Sequence, residues 1–425
     1  MTSSATVPSS EALGTTIHLL EQLASGVSGN GYCVRLWDGT QWGTRERPRF
    51  TIVLKNPAAL HHLLLSPSEL SLGEAYIYDD FDVEGDLEAA FEFVEKLFSA
   101  PLPLTAKLKL RAVAAVPRRF LDQRSAAALS GRLHSRERDR AAIAYHYDLP
   151  SDFYGLFLDR RMIYSCAYFR SPDDDLDTAQ EQKLDYICRK LRLKPQERLL
   201  DIGCGWGGLV IYAAKNYGVR ASGITLSAAQ AETARRRIQD AGVADRCQVE
   251  LRDYRDLDQA EPFDKLVSVG MFEHVGESML PEYFRRAWQL LRPQGLFLNH
   301  GIAASATYRH EGPSFIEKYV FPNGELVPLF TTVHAAEGCG FEVCDVESLR
   351  PHYALTLRHW VNRLEARAGE ARRLVDEVAY RIWRIYMAGS AHGFSRGRVN
   401  VYQLLLSKSE RGETELPLTR QDWYE

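Results

Sequence analysis

The sequence predicts an α/β fold, a largely parallel sheet with helices on both faces, preceded by a smaller α+β module. Three observations carry this. Apolar strand-like runs alternate with helix-length amphipathic stretches from Glu181 onward. The run Arg198-Leu199-Leu200-Asp201-Ile202 passes through Gly203-Cys204-Gly205-Trp206-Gly207-Gly208 into the helical pattern Leu209–Tyr217. A second apolar strand, Arg220–Thr225, arrives after one helix length, as a βαβ unit requires. The glycines permit a sharp turn and close approach of a ligand to the backbone. No Lys-Ser/Thr pair follows them, which excludes a P-loop. Alone, Gly-x-Gly is also what an ordinary βα turn looks like.

At 425 residues the chain has room for two or three domains, and 45% hydrophobic with 25% charged residues is ordinary globular composition. A net charge of −4 argues against a global nucleic-acid binder. Seven cysteines, without regular spacing and without a Cys-x-x-Cys pair, read as reduced thiols and not as a zinc site. The amino terminus does not read as a signal peptide, and no apolar run is long enough to span a bilayer. Any membrane association is therefore expected to be peripheral, on a cytoplasmic protein.

In chain order, a Ser/Thr-rich start gives way to a helical pattern over Ser10–Ser25. Tyr32–Trp37 alternates like a strand, Asp38-Gly39 marks a hairpin turn, and Phe50–Leu54 is another strand. Asn56-Pro57 opens a helix. Tyr76-Ile77-Tyr78 precedes an acidic patch of Asp79, Asp80, Asp82, Glu84 and Asp86, and Asp86 caps a helix over Leu87–Phe98. Residues 1–100 thus form one module. Pro101-Leu102-Pro103 opens a second segment, 101–140. Within Thr105–Arg140 ten Lys or Arg face three acids, a local charge of +7. This is either a solvated helical linker or an electrostatic foot for an anionic membrane. Aromatics for base stacking are nearly absent from it, which speaks against nucleic acid.

Residues 141–425 form the remaining domain. Its first part is rich in aromatics (Tyr145, Tyr147, Phe153, Tyr154, Tyr164, Tyr168, Phe169), suited to the walls and lid of a site. A helix over Glu181–Leu191 precedes the first strand. After Thr225 come a helix at Ala228–Ala241, strands at Gln248–Leu251 and Lys265–Val269, and a helix at Met279–Leu290. The turn Arg292–Gly295 leads to a strand at Leu296–His300, and Phe341–Val346 and Asn400–Ser407 are the last two strands. Two insertions, Ile302–Val333 and Leu349–Arg398, follow strand ends and are expected over the ligand crevice.

From Tyr145 to Ser407 the chain resembles the cyclopropane fatty acid and mycolic acid cyclopropane synthases. The resemblance rests on His146-Tyr147-Asp148-Leu149, Met162–Phe169, the glycine turn with Trp206, and Gly223-Ile224-Thr225-Leu226-Ser227. It continues through Asp253-Tyr254-Arg255-Asp256, Val269–Gly276 and Lys318–Gly324, with Glu273-His274 and Tyr319–Gly324 more specific than the glycines. It implies a Rossmann-like class I methyltransferase domain, with insertions over the site and a small lipid-binding amino-terminal domain. It further implies an S-adenosylmethionine-dependent enzyme, dimeric and peripheral to the membrane, that cyclopropanates cis double bonds of phospholipid acyl chains.

An isolated alkene is a weak nucleophile, so the sulfonium methyl must be held in line with it. Methyl transfer leaves a cation on the acyl chain, and ring closure removes a proton. The site must exclude water, offer electron-rich walls and supply a base. Tyr168, Phe169, Phe272, Tyr319, Phe321 and Tyr353 are candidate walls. The resemblance implies a bound bicarbonate as base, cradled by Cys166, Glu273, His300 and Tyr353. Glu273 would repel that anion unless a proton is shared, and His274 is expected to be structural. For the methyl donor the candidates are Tyr164, Ser165, Asp201, Gly203, Gly205, Thr225, Leu226, Gln230 and Tyr254. Strand two ends in Thr225 where many such enzymes have a ribose-binding acid, and the Gln230 amide can replace the carboxylate. One departure is Ser390, which stands where the family commonly has a cysteine. Alternatives are a methylene-branched product, a small amine substrate, or a catalytically silent lipid-binding protein.

Overall fold

The computed structural model describes residues 31–99 and 134–424, apart from 45, 57–58, 60–67, 148, 259–260, 308–313 and 415, together with a few positions between 14 and 21. The expected helices at Ser10–Ser25 and after Asn56 therefore fall largely outside the described residues, as does most of the basic segment. The chain divides into two compact units.

The smaller unit comprises 1–126 together with two later segments, 310–320 and 376–392. Its sheet contains β1 (Tyr32–Arg35), β2 (Gln41–Gly43), β3 (Phe50–Leu54) and β4 (Phe81–Gly85) in the order β2-β1-β3-β4. The Asp38-Gly39 turn joins β1 to the short β2, and β1 then pairs parallel with β3. A three-residue strand carries too little pattern to be read from sequence. Asp86 caps the helix Leu87–Ser99, accepting a hydrogen bond from the Ala89 N–H at 3.0 Å. The acidic patch is structural. Arg381, from the helix Glu377–Ser395, reaches Asp79 at 2.7 Å and Asp82 at 2.8 Å, and pairs with Glu377 at 3.0 Å. Arg381 is buried, so these acids supply the charge partners that its burial demands. The other late segment, Phe315–Tyr319, is held through Glu74, which accepts from Lys318 at 2.6 Å and Tyr319 at 2.9 Å. Parts of both insertions thus fold with the smaller unit, a departure from the division at 1–100, 101–140 and 141–425. The cause is a set of ion pairs between residues some 240–300 positions apart.

The larger unit holds 127–309, 321–375 and 393–425. Its strands are β5 (Arg198–Ile202), β6 (Arg220–Thr225), β7 (Cys247–Leu251), β8 (Phe263–Val269), β9 (Leu291–Ala304), β10 (Glu342–Ser348) and β11 (Val399–Ser407). They lie in the order β10-β11-β9-β8-β5-β6-β7. β5 to β9 run parallel, whereas β11 is antiparallel to both its neighbours, so the sheet is mixed. The connection from β10 returns the chain to the edge it left, with Tyr402 opposite Ser348, and the last strand must run backward. Apolar residues bury both faces. One face packs Leu184, Ile187, Leu209, Val210 and Ile238 on the sheet, the other Tyr283, Phe284, Leu290 and Phe297. The expected turn Arg292–Gly295 is a bulge within β9, visible as a register shift against β8 between Phe263 and Lys265. The helix before β5 begins at Leu176 rather than Glu181, because Asp175 caps it, accepting from the Thr178 N–H at 2.7 Å.

Candidate active site

Two groups of residues gather at the carboxyl ends of β5, β8 and β9. The first forms a cleft. Gly203, Gly205 and Gly207 all have positive φ, of 87°, 53° and 81°. A Cβ on Gly203 would lie 2.6 Å from the Met271 Cβ, so glycine is needed there twice, for φ and for space. Gly207 gives the helix Gly208–Tyr217 a start with no side-chain cap. Its first N–H groups therefore stand at the glycine turn.

All nine residues expected to bind the methyl donor line this cleft: Tyr164, Ser165, Asp201, Gly203, Gly205, Thr225, Leu226, Gln230 and Tyr254. The Thr225 hydroxyl donates to Gln230 Oε1 at 2.8 Å, while Ser227 caps the following helix by accepting from the Gln230 N–H at 3.3 Å. Tyr254 stands edge-on to Tyr283 with ring centres 5.5 Å apart. Asp201 is buried, its Oδ1 has no partner, and burial pushes its carboxyl up to about 7 against the opposing pull of Lys183.

Several cleft residues escaped the sequence reading. Lys183 is fully buried and donates to Ser165 Oγ at 2.8 Å. Burial brings its ammonium down to about 8, with Cys166, Asp159 and Asp201 opposing. The cue was present: Lys183 lies on the stripe Ala179, Gln180, Leu184 and Ile187 of the helix Leu176–Lys190, the face that turns inward. Arg255 chelates Asp253 through Nε at 2.9 Å and Nη2 at 2.7 Å and reaches Asp139 at 3.1 Å. Asp139 comes from the helix Arg136–Tyr147, which also brings Ile143 and Tyr147 to the cleft. In the described part of the basic segment, Arg136 pairs with Asp256 at 2.8 Å and Arg138 donates to Asn323 Oδ1 at 2.8 Å. His274, expected to be purely structural, also lines the cleft, and burial pushes its imidazole down to about 4.

The second group is the four residues expected to cradle a base, and none of them is among those lining the cleft. Glu273 sits in a short turn after β8, where its Oε1 accepts from the Ile302 N–H at 2.6 Å. Its Oε2 is buried without a partner, and burial raises the carboxyl to about 7. His300, on β9, meets Gln403 Nε2 at Nδ1 (3.2 Å), and its Nε2 is buried without a partner. Burial, with Lys183 and Lys190 adding to it, holds this imidazole neutral, far below its usual range. Cys166 directs its thiol at the carbonyls of Ala167 (3.2 Å) and Leu349 (3.8 Å), and burial pushes its pKa up, so it is a neutral thiol. Tyr353 lies on the helix Arg350–Ala366 with its ring 4.6 Å from Phe394 and 6.1 Å from Trp360.

The candidate aromatic walls separate. Tyr168 stacks on His352 at 4.8 Å, Phe169 on His359 at 5.5 Å, and Phe321 lies 4.0 Å from His146. Phe272 belongs to the core under the sheet. Tyr319 folds with the smaller unit, its hydroxyl donating to Glu74, and so does Ser390. All seven cysteines are free, and among the described residues no cluster of His, Cys, Asp and Glu could hold a metal ion. No helix among the described residues is long and apolar enough to cross a membrane.

Residues 134–404 match the family model for mycolic acid cyclopropane synthetase, and residues 19–99 match a domain of unknown function (DUF7884). A probable fatty acid methyltransferase of Pseudomonas putida is 42% identical over 397 residues, 92% of this chain and 95% of the relative. The cyclopropane-fatty-acyl-phospholipid synthase of Escherichia coli K12 is 36% identical over 358 residues, 84% of this chain and 87% of the relative. The crystal structure of the mycolic acid cyclopropane synthase CmaA1, complexed with SAH and CTAB, is 36% identical and superposes with a TM-score of 0.60. That match covers 63% of this chain and 98% of the other. The chain therefore belongs to the mycolic acid cyclopropane synthetase family of S-adenosylmethionine-dependent methyltransferases.

Proposed function

We propose that this protein transfers a methylene group from S-adenosylmethionine to the cis double bond of unsaturated phospholipid acyl chains, giving cyclopropane fatty acids. The support is the pair of buried polar atoms without partners, Glu273 Oε2 and His300 Nε2, beside a cleft suited to a methyl donor. Buried polar atoms are paired in nearly all proteins, so these two orphans mark places where a polar guest would bind.

When bound, S-adenosylmethionine supplies the methyl group and bicarbonate a base for the proton that ring closure releases. The residues present fit both. In the cleft, Gly203 and Gly205 admit the donor to the backbone, and the unpartnered Asp201 Oδ1 can accept from an ammonium group. The Gln230 carbonyl is taken by Thr225, so its amide N–H is what remains to hold a ribose hydroxyl. At the proposed base site the neutral His300 adds no charge. Glu273, with its carboxyl raised to about 7, can carry a proton at Oε2 and donate it to an oxyanion instead of repelling it. Burial of both groups keeps water from the acyl cation. Tyr353 completes the proposed cradle. Cys166 contributes as a neutral wall, since its thiol already serves two carbonyls. Lipid would be reached at an anionic membrane surface through the basic segment of residues 105–140, by a peripheral, homodimeric protein with a lipid-binding amino-terminal module.

A second reading is favoured by the Pseudomonas putida relative, named a probable fatty acid methyltransferase. Losing the proton from a neighbouring carbon would leave a methylene branch. Purified protein, labelled S-adenosylmethionine and unsaturated phospholipid vesicles, followed by mass spectrometry of the acyl chains, separate the two. Gain of one methylene with loss of the double bond is expected. The same gain with an alkene retained would establish the branched product, and no transfer would remove both. Vesicle binding should weaken with added salt, because a basic foot acts through screened charge.

A further inference from the structure

We propose that Gln403 is a positioning residue that fixes His300 as its Nε2–H tautomer, so that the unpartnered ring nitrogen meets the pocket as a hydrogen-bond donor. The inference rests on the reading that His300 faces the reacting groups.

Gln403 lies directly opposite His300 in the β9–β11 pairing, and the two side chains are 0% and 1% exposed. In a sheet, residues paired across two strands point to the same face. The side-chain amide nitrogen of Gln403 lies 3.2 Å from His300 Nδ1. An amide nitrogen only donates, so Nδ1 must accept, and the ring proton of a neutral imidazole then sits on Nε2. Turning the amide over would let its oxygen accept from Nδ1–H. It would also move the NH₂ group to the place where Gln403 Oε1 now has no partner. Either orientation leaves one buried N–H group and one buried acceptor open; the one found in the structure, with the amide nitrogen at Nδ1, is the one that puts the ring proton on Nε2.

The tautomer decides what the pocket offers. Glu273 Oε1 is tied to the Ile302 N–H, two residues beyond His300 on the same strand. The remaining Oε2 and the His300 Nε2 are the pocket's two unpartnered polar atoms from these residues. With the proton on Nε2 they present a donor beside a carboxyl group that can itself be protonated. With the proton on Nδ1, His300 would turn a lone pair toward the pocket and repel an oxyanion, leaving the Glu273 proton as the one donor of the pair. β11 is the reversed strand of the sheet, so this partner comes from a segment 103 residues away in sequence.

Histidine-selective ¹⁵N labelling of the full chain tests this, with the His300 signals assigned from their absence in His300→Gln. The expected wild-type spectrum has a pyrrole-type Nε2 and a pyridine-type Nδ1. A protonated Nδ1 in the wild type would overturn the proposal without any variant of Gln403. In Gln403→Glu the carboxylate should accept from Nδ1–H and invert the pattern, and in Gln403→Leu the two tautomers should mix. Turnover should fall about tenfold or more in both. S-adenosylhomocysteine binding should be unchanged, because Gln403 does not line the cleft. Should Gln403→Glu fail to fold, Gln403→Leu suffices: an unaltered tautomer there overturns the proposal. A wild type with the expected tautomer but no lipid methylation would leave this inference standing and remove the function proposed above.

Discussion

The donor cleft and the proposed base site draw on the same sheet but are built in different ways. The cleft has a local frame: its glycine turn, Thr225–Gln230 pair and Ser227 cap lie within about thirty residues, and Tyr164, Lys183, Tyr254 and His274 join them from elsewhere. The proposed base site draws on Cys166, Glu273, His300 and Tyr353, with Gln403 beside His300, from separate parts of the chain, and Glu273 Oε2 and His300 Nε2 are buried without partners. The frame of a donor site can be made from one βαβ unit. The proposed base site needs groups that no single segment supplies.

The largest expected effect should break the pocket and spare the cleft. Glu273→Gln keeps the shape and removes the titrating proton. Turnover should fall about 10³-fold, within the span of general acid–base catalysis, while calorimetry shows S-adenosylhomocysteine affinity unaltered. Equal loss of both would mean that the two sites are one. Next in size is a pH effect. Glu273 titrates at about 7 when folded and near 4.5 in its ordinary state, so between these values the folded chain holds a proton that the unfolded chain has lost. The associated stability is complete below pH 4.5 and disappears as pH rises through 7. Relative to Glu273→Gln, the wild type should lose on the order of 3 kcal/mol across that window in urea unfolding. Parallel curves would show that the carboxyl is not so perturbed. Asp201, also raised to about 7, is common to both proteins and drops out of the comparison.

On the cleft side, Gly203→Ala forces a Cβ to within 2.6 Å of Met271 at a φ of 87°. It should cost about 2 kcal/mol in thermal unfolding and weaken S-adenosylhomocysteine binding. A variant of full stability and affinity would show that the turn relaxes freely. The smallest effect is expected from Thr225→Val, which removes the bond to Gln230 Oε1. Titration should show S-adenosylhomocysteine bound about 1 kcal/mol more weakly, with turnover at saturating donor preserved.

This contrast also explains what could be read from sequence. β5 and β6 are short strands set off by turn residues and one helix length apart, and their expected limits agree with the structure. Seven of the nine cleft residues were legible because they sit on strand ends or in the turns and helix start just after them, whereas Tyr164 and Ser165 came from the family resemblance. Lys183 was missed because a lysine on an apolar stripe reads as a flaw in the pattern until its burial and its bond to Ser165 are seen. The direction of β11, the role of Gln403 and the use of Asp79 and Asp82 by Arg381 all depend on pairing between distant segments. Periodicity within one segment holds no information about its partner.

The reversed last strand has a consequence for how the enzyme comes into being. β11 is inserted between β9 and β10, strands completed at Ala304 and Ser348, and it brings Gln403 to His300. A growing chain can form β5 to β9 and the donor cleft well before residue 399 is made. Until then β9 and β10 both have open edges, which are hazards for wrong pairing. The pocket also lacks the partner of its histidine. The lining of the donor cleft is thus complete in sequence by Met279, whereas the proposed partner of His300 comes with the strand made last.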